Sequence, residues 1–186
     1  MSTPSLNDRH AAALDYLGRG WSVIPVEPRG KRPLVRWRAF EEQPPTPAQL
    51  GGWFARWPQA NVAIVTGRRS GLVVVDVDPR HGGDASLAGY EAAHGALPAT
   101  VESLTGGGGR HLYFAHPGGA TPNRVGMLPG VDVRGDGGCV VAPPSVHPSG
   151  RAYAWRGGRA PGECPLAPLP APWRAPRAGA RRARKG

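Results

Sequence analysis

The chain has 186 residues, with 23 Lys and Arg against 13 Asp and Glu for a formal charge of +10, and 40% of its residues are hydrophobic. That length suits one domain of one or two lobes with a buried core, which excludes disorder throughout. The longest apolar run, residues 71–75, ends at Asp76, far short of the roughly 20 residues of a membrane-spanning helix; the N-terminus lacks the features of a secretory signal, so a cytoplasmic protein with no membrane partner is expected.

In chain order, residues 6–17 form an amphipathic helical pattern closed by Gly18 and Gly20. Residues 21–26 read as a strand, and residues 27–38 as a loop with clustered bases (Arg29, Lys31, Arg32, Arg36, Arg38). Thr46 and Pro47 supply an N-cap and a first-turn proline for a helix to about Trp57. Strands are expected over residues 62–66 and 72–78, then a helix capped by Asp84 and ending near His94 and Gly95. Strands over residues 100–104, 111–115, 131–134, 139–142 and 152–155 follow. Helices thus concentrate early and strands late, an α+β arrangement with a mixed α/β first lobe and a sheet-rich second lobe.

Cys139 and Cys164 lie in different segments without Cys-x-x-Cys or Cys/His spacing, so neither a disulfide framework nor a structural zinc site is expected. Residues 156–186 carry eight bases against Glu163, which is +7 of the +10. Dense in Pro, Ala, Gly and Arg, residues 158–186 are expected to form a flexible basic tail behind a catalytic domain of residues 1–157. Such a tail either binds phosphate polymers through counterion release or is simply solvated.

The chemistry-bearing residues fall in three places. Asp76 and Asp78 close a β-branched run, and the period of two puts both carboxylates on one side of a strand, where a divalent cation would relieve their repulsion. Four glycines, Gly106 to Gly109, join two strands and offer amides to an anion, with Arg110 and His111 at the exit. His111 and Tyr113 share one face of the following strand, Leu112 and Phe114 the other. Asp132 and Arg134 alternate with Val131 and Val133 in the same way. If these strands pair with their polar faces together, three carboxylates meet beside cationic groups, an arrangement for metal plus phosphate.

This ordered set resembles the primase–polymerase domain of the archaeo-eukaryotic primase superfamily, often called bifunctional DNA primase/polymerase. Asp76-Val77-Asp78 resembles its first motif, Gly107 to Phe114 its Gly-Gly-x-His-x-Tyr-Phe second motif, and Asp132 its third-motif acid. The flanks are similar too: Gly30-Lys31-Arg32-Pro33, Trp37, Asn61-Val62-Ala63, the stretch from Gly130 through Pro143-Pro144-Ser145, then His147-Pro148-Ser149-Gly150 and Tyr153. The likeness covers roughly residues 10–157. One departure is Gly107, where many relatives carry Ser or Thr; Thr105 is the substitute at hand.

The resemblance implies an N-terminal α/β unit packed on an RNA-recognition-like sheet, with the active site in the cleft between them. It implies a template-dependent nucleotidyltransferase, a DNA primase/polymerase using nucleoside triphosphates on single-stranded DNA. Asp76, Asp78 and Asp132 would hold two Mg²⁺ or Mn²⁺ ions and His111 would contact the nucleotide's phosphates. Arg110, Gly108, Gly109, Lys31, Arg134 and Ser145 are further nucleotide-binding candidates. No helicase motor is recognised, so unwinding would fall to a separate helicase. Two other readings stand beside it: a metal-dependent nuclease using the same carboxylates to activate water, and a non-catalytic module for single-stranded nucleic acid using the basic loop, Trp37, Trp53 and the tail.

Overall fold

The computed structural model describes residues 6–174. Helix α1 (Leu6–Gly18) stops ahead of Gly20, whose φ of +85° turns the chain into β1 (Val23–Val26). Helix α2 (Pro47–Arg56) begins as its sequence foretells: Thr46 Oγ1 accepts the Gln49 N–H, and the Gln49 side chain accepts the Thr46 N–H, a reciprocal cap. Then come β2 (Asn61–Val65), β3 (Leu72–Val77) and α3 (Gly83–His94). Asp84 does not cap α3. Gly82 does, in a left-handed conformation without a side-chain bond, while Asp84 sits in the first turn and pairs with Arg110.

The rest is strands: β4 (Val101–Leu104), β5 (Arg110–Ala115), β6 (Arg124–Leu128), β7 (Val131–Arg134), β8 (Cys139–Val141), β9 (Ala154–Trp155) and β10 (Ala167–Pro168). They build two sheets. A three-stranded antiparallel sheet has the order β1-β2-β8; a larger one runs β6-β7-β3-β5-β4-β9, with β10 added parallel to the end of β5. The mixed α+β class is therefore as expected. The smaller unit is not purely N-terminal, because β8 returns from the second half of the chain to pair with β2.

Strict alternation assigns each strand's side chains to a layer. Leu72, Val74, Val101 and Tyr113 of the large sheet join Val23, Val62, Ile64 and Val140 of the small one, with Ala13 and Tyr16 of α1 and Leu50 and Phe54 of α2, in one buried cluster. Within it Trp21 stacks on Tyr113, ring centroids 6.3 Å apart and planes within 10°. The opposite face of the large sheet, Val73, Val75, Val77, Phe114, Val131 and Val133, is covered by Leu87 of α3 and by Ala167, Leu169 and Trp173.

That cover corrects the expected domain boundary. Residues 158–174 are part of the domain: Trp173 is fully buried, its carbonyl accepts from Arg124, and β10 completes the edge of β5 beyond β4. Five of its apolar residues reach the core: Ala167, Leu169 and Trp173 in the cluster behind the large sheet, Cys164 and Leu166 against the cluster between the sheets. Residues 175–186 of the expected tail lie outside the described residues. Among the described residues no helix is long and apolar enough to cross a membrane.

Candidate active site

The centre of the large sheet places the polar residues. Asp76 is directly opposite Asp132 on β7 and directly opposite His111 on β5, so one row across three strands carries all three side chains on one face. Directly opposed residues of antiparallel strands have Cβ atoms about 4.5–5.5 Å apart. Arg134 stands two residues on from Asp132 on that face, and Val77 and Val131, one position away, point into the opposite core.

Asp76 and His111 open on a groove whose lining comes from both sheets, while Asp132 is outside that lining and meets it through Arg134. One part, about 200 Å³, is bounded by Lys31, Asp76, His111, Arg134, Tyr153 and strand β8. An adjoining part, about 40 Å³, shares Lys31, Asp76, His111 and Tyr153 and adds Asp78, Arg80, Thr105, Gly107, Gly109 and His147.

The three acids differ in their engagement. The Asp76 carboxylate approaches His111 Nε2 at 3.5 Å, the outer limit of hydrogen bonding. Asp78 lies just past the end of β3; one oxygen accepts the Arg80 N–H at 2.9 Å and the other meets His81 Nδ1 at 2.9 Å. Partial burial would raise its pKa, but the bonds from His81 and Arg80 outweigh it and hold the carboxyl below the usual range. Asp132 accepts the Gly126 N–H at 2.8 Å and pairs with the Arg134 guanidinium at 2.8 Å. No three His, Cys, Asp or Glu side chains among the described residues are gathered as a ready metal cage. The donor chemistry nevertheless fits a hard divalent cation: Asp76 faces the groove with lone pairs unclaimed by any strong donor, and Asp78 borders it two residues away.

His111 is almost wholly buried, and desolvation lowers its pKa, with Lys31 and Arg134 adding to the effect against the attraction of Asp76. Its imidazole is neutral at pH 7. Tyr153, beside it, has its phenol pushed up to about 12 by burial and by the Asp76 charge.

The glycine loop is tightly packed. A Cβ on Gly109 would stand 2.4 Å from the Val77 carbonyl oxygen, and one on Gly106 would stand 2.4 Å from the His147 Cβ. The Gly108 N–H donates to the Thr105 carbonyl and the Gly109 N–H to Thr105 Oγ1, both at 3.0 Å. These two amides therefore stabilise the turn, and neither is free for an anion. Thr105 itself borders the groove.

Two of the expected nucleotide-binding residues are elsewhere. Arg110 is opposite Val77, on the face of Leu112 and Phe114, where it pairs with Asp84 at 3.4 Å and Glu102 at 3.9 Å. A single step along β5 separates it from His111, and a single step reverses the face. Ser145 is fully buried; its Oγ accepts the Val62 N–H at 2.9 Å and donates to the Val62 carbonyl at 3.1 Å, replacing a strand partner for β2. Trp37 and Trp53 are packed against core clusters. Conversely, Arg80 and His147 border the groove without having been singled out for it. His147 and Tyr153 were visible in the sequence only as flanks of the third motif.

The family model for the N-terminal domain of bifunctional DNA primase/polymerases matches residues 13–172. The chain belongs to that family. The match runs through β10 almost to Trp173, as the packing does, so the primase/polymerase domain includes the segment that composition alone assigned to a tail. No curated protein matches the chain.

Proposed function

We propose that this primase/polymerase domain joins nucleoside triphosphates to a growing strand on a single-stranded DNA template. The observation that carries the reading is the row Asp132, Asp76, His111 in register across β7, β3 and β5, of which Asp76 and His111 line a groove with Lys31 and Arg134. Asp76, Asp78 and Asp132 would hold two divalent ions, Mg²⁺ or Mn²⁺, which when bound lower the pKa of a 3′-hydroxyl and offset the charge of the triphosphate.

The protein's own groups do the rest. Lys31 and Arg80 carry positive charge to the Asp78 end of the groove, where phosphate oxygens are stabilised. Arg134 orients Asp132 through its ion pair. The neutral His111 imidazole places no cation against Asp76, and its Nε2 stands 3.5 Å from that carboxylate. Three negative carboxylates beside a phosphate backbone would only weaken a passive binding module.

The test is incorporation of labelled nucleotides on a single-stranded template, with and without primer, in Mg²⁺ and in Mn²⁺. Triphosphate-dependent lengthening is expected. Shortening of the strand in the absence of nucleotide would instead assign the carboxylates to hydrolysis.

A further inference from the structure

We propose that His147 is a phosphate-binding residue of the groove, presenting its Nε2–H to the triphosphate; this rests on the polymerase reading above.

His147 lies beyond β8, 8% exposed, and its ring is locked from behind. Nδ1 accepts the Ser149 N–H at 3.1 Å, and the Ser149 hydroxyl, 3.0 Å from the same nitrogen, donates to the Gly106 carbonyl at 2.8 Å. The backbone is held as well, His147 N–H to the Arg151 carbonyl at 2.9 Å. A nitrogen that accepts a backbone N–H carries no proton in the neutral ring, so the proton is on Nε2. Burial, reinforced by Lys31, Arg80 and Arg151, keeps the ring neutral.

Nε2 is directed toward the glycine loop. A Cβ on Gly107 would stand 3.1 Å from it and 3.3 Å from Cε1. The imidazole therefore occupies the space that a side chain at position 107 would fill. The loop has no side-chain donor there, and its Gly108 and Gly109 amides are turned to Thr105. His111, which lines the same part, turns its Nε2 to Asp76 at 3.5 Å and not to the glycine loop. His147 thus adds a directional, uncharged donor to the narrow part of the groove, which Lys31, Arg80, Thr105 and Tyr153 also line.

Equilibrium binding of dATP, dADP and dAMP to the full chain in Mg²⁺ tests this, with folding of each variant checked by circular dichroism. His147→Phe keeps a ring over Gly107 and removes the donor. Triphosphate and diphosphate affinity should fall about tenfold, the effect of one hydrogen bond to a charged group, while dAMP binding changes little. His147→Gln, which retains an N–H, should recover part of the loss. Gly107→Ala approaches from the other side, crowding Nε2 with a methyl group, and should weaken the triphosphate in the same direction even if His147→Phe does not fold. Unchanged dATP affinity in folded His147→Phe, or in Gly107→Ala should the first not fold, overturns the assignment. Failure of the parent chain to bind dATP at all would instead overturn the polymerase reading, and this proposal with it.

Discussion

Asp76 and Asp132, 56 positions apart in the chain, face each other across the β3–β7 ladder in register. Neither is buried in an apolar environment, and each has a cationic or donor partner, His111 for the one and Arg134 for the other. Asp76→Asn and Asp132→Asn keep the shape of both sites and remove charge from the row. Each should cut metal-dependent incorporation at least about 10²-fold, the scale lost with one preorganised electrostatic group. The thermal midpoint without metal should not fall. A primer-extension assay and a melting curve on the same samples check both halves.

Gly109→Ala should destabilise the fold and the site together. Its new methyl group would meet the Val77 carbonyl oxygen at 2.4 Å, and since that oxygen belongs to the backbone, the chain must shift. Overpacking of this kind costs about 1–3 kcal/mol, and the shift falls next to Asp78. Urea denaturation reads the first effect and nucleotide incorporation the second. A Gly108→Ala control is strained only by its own φ of +90°, with open space around it.

Acid should weaken the domain through His111. Its folded-state pKa is lowered by burial below the ordinary 6.5, so the unfolded chain binds the proton more readily than the native one. The stability due to a neutral His111 is full above pH 6.5 and is lost as the pH falls from there toward the lowered native value. His147 shifts in the same direction and adds to the slope. Metal-free unfolding free energies between pH 7.5 and pH 5 should decline for the parent chain and decline less steeply for His111→Gln; parallel curves would remove His111 from the explanation.

Truncation after residue 157 should fail. It strips Ala167, Leu169 and Trp173 from the core and leaves Phe114 and Leu87 uncovered; each large apolar side chain contributes about 1.5–3 kcal/mol of burial. Truncation after residue 174 keeps every one of those contacts. Soluble yield and cooperative melting of the two shortened proteins give the answer directly.

Ser145→Ala should lower stability by about 1–3 kcal/mol, because it leaves the buried Val62 N–H without its acceptor. The KM for nucleotide should stay near the parent value. A raised KM at unchanged stability would return Ser145 to the nucleotide site.

What could be read from the sequence follows from periodicity. The runs that form β3, β5 and β7 alternate cleanly, and that alternation puts Asp76, His111 and Asp132 each on the polar face of its own strand; the register of the ladders brings the three together. Strand β6 was not foreseen: Arg-Val-Gly-Met-Leu lies at a sheet edge with an irregular register, Val125 is 78% exposed, and no apolar face marks it. Composition does not reveal the packing of segment 158–174, because Pro, Gly and Arg surround the few side chains, Cys164, Leu166, Ala167, Leu169 and Trp173, that reach the two core clusters. Arg110 was assigned to the groove by adjacency to His111, although adjacent strand residues point oppositely. Ser145 shows the remaining limit: a buried hydroxyl bonded to backbone and a hydroxyl awaiting a phosphate are the same letter in a sequence.

The stack of Trp21 on Tyr113 lies in the layer that holds the two sheets apart, and Tyr113 is only two residues along β5 from His111. The aromatic pair thereby acts as a spacer between β8 and the row of Asp76 and His111. The groove's width is thus tied to hydrophobic packing, and a change such as Trp21→Leu, remote from the polar groups, would alter it.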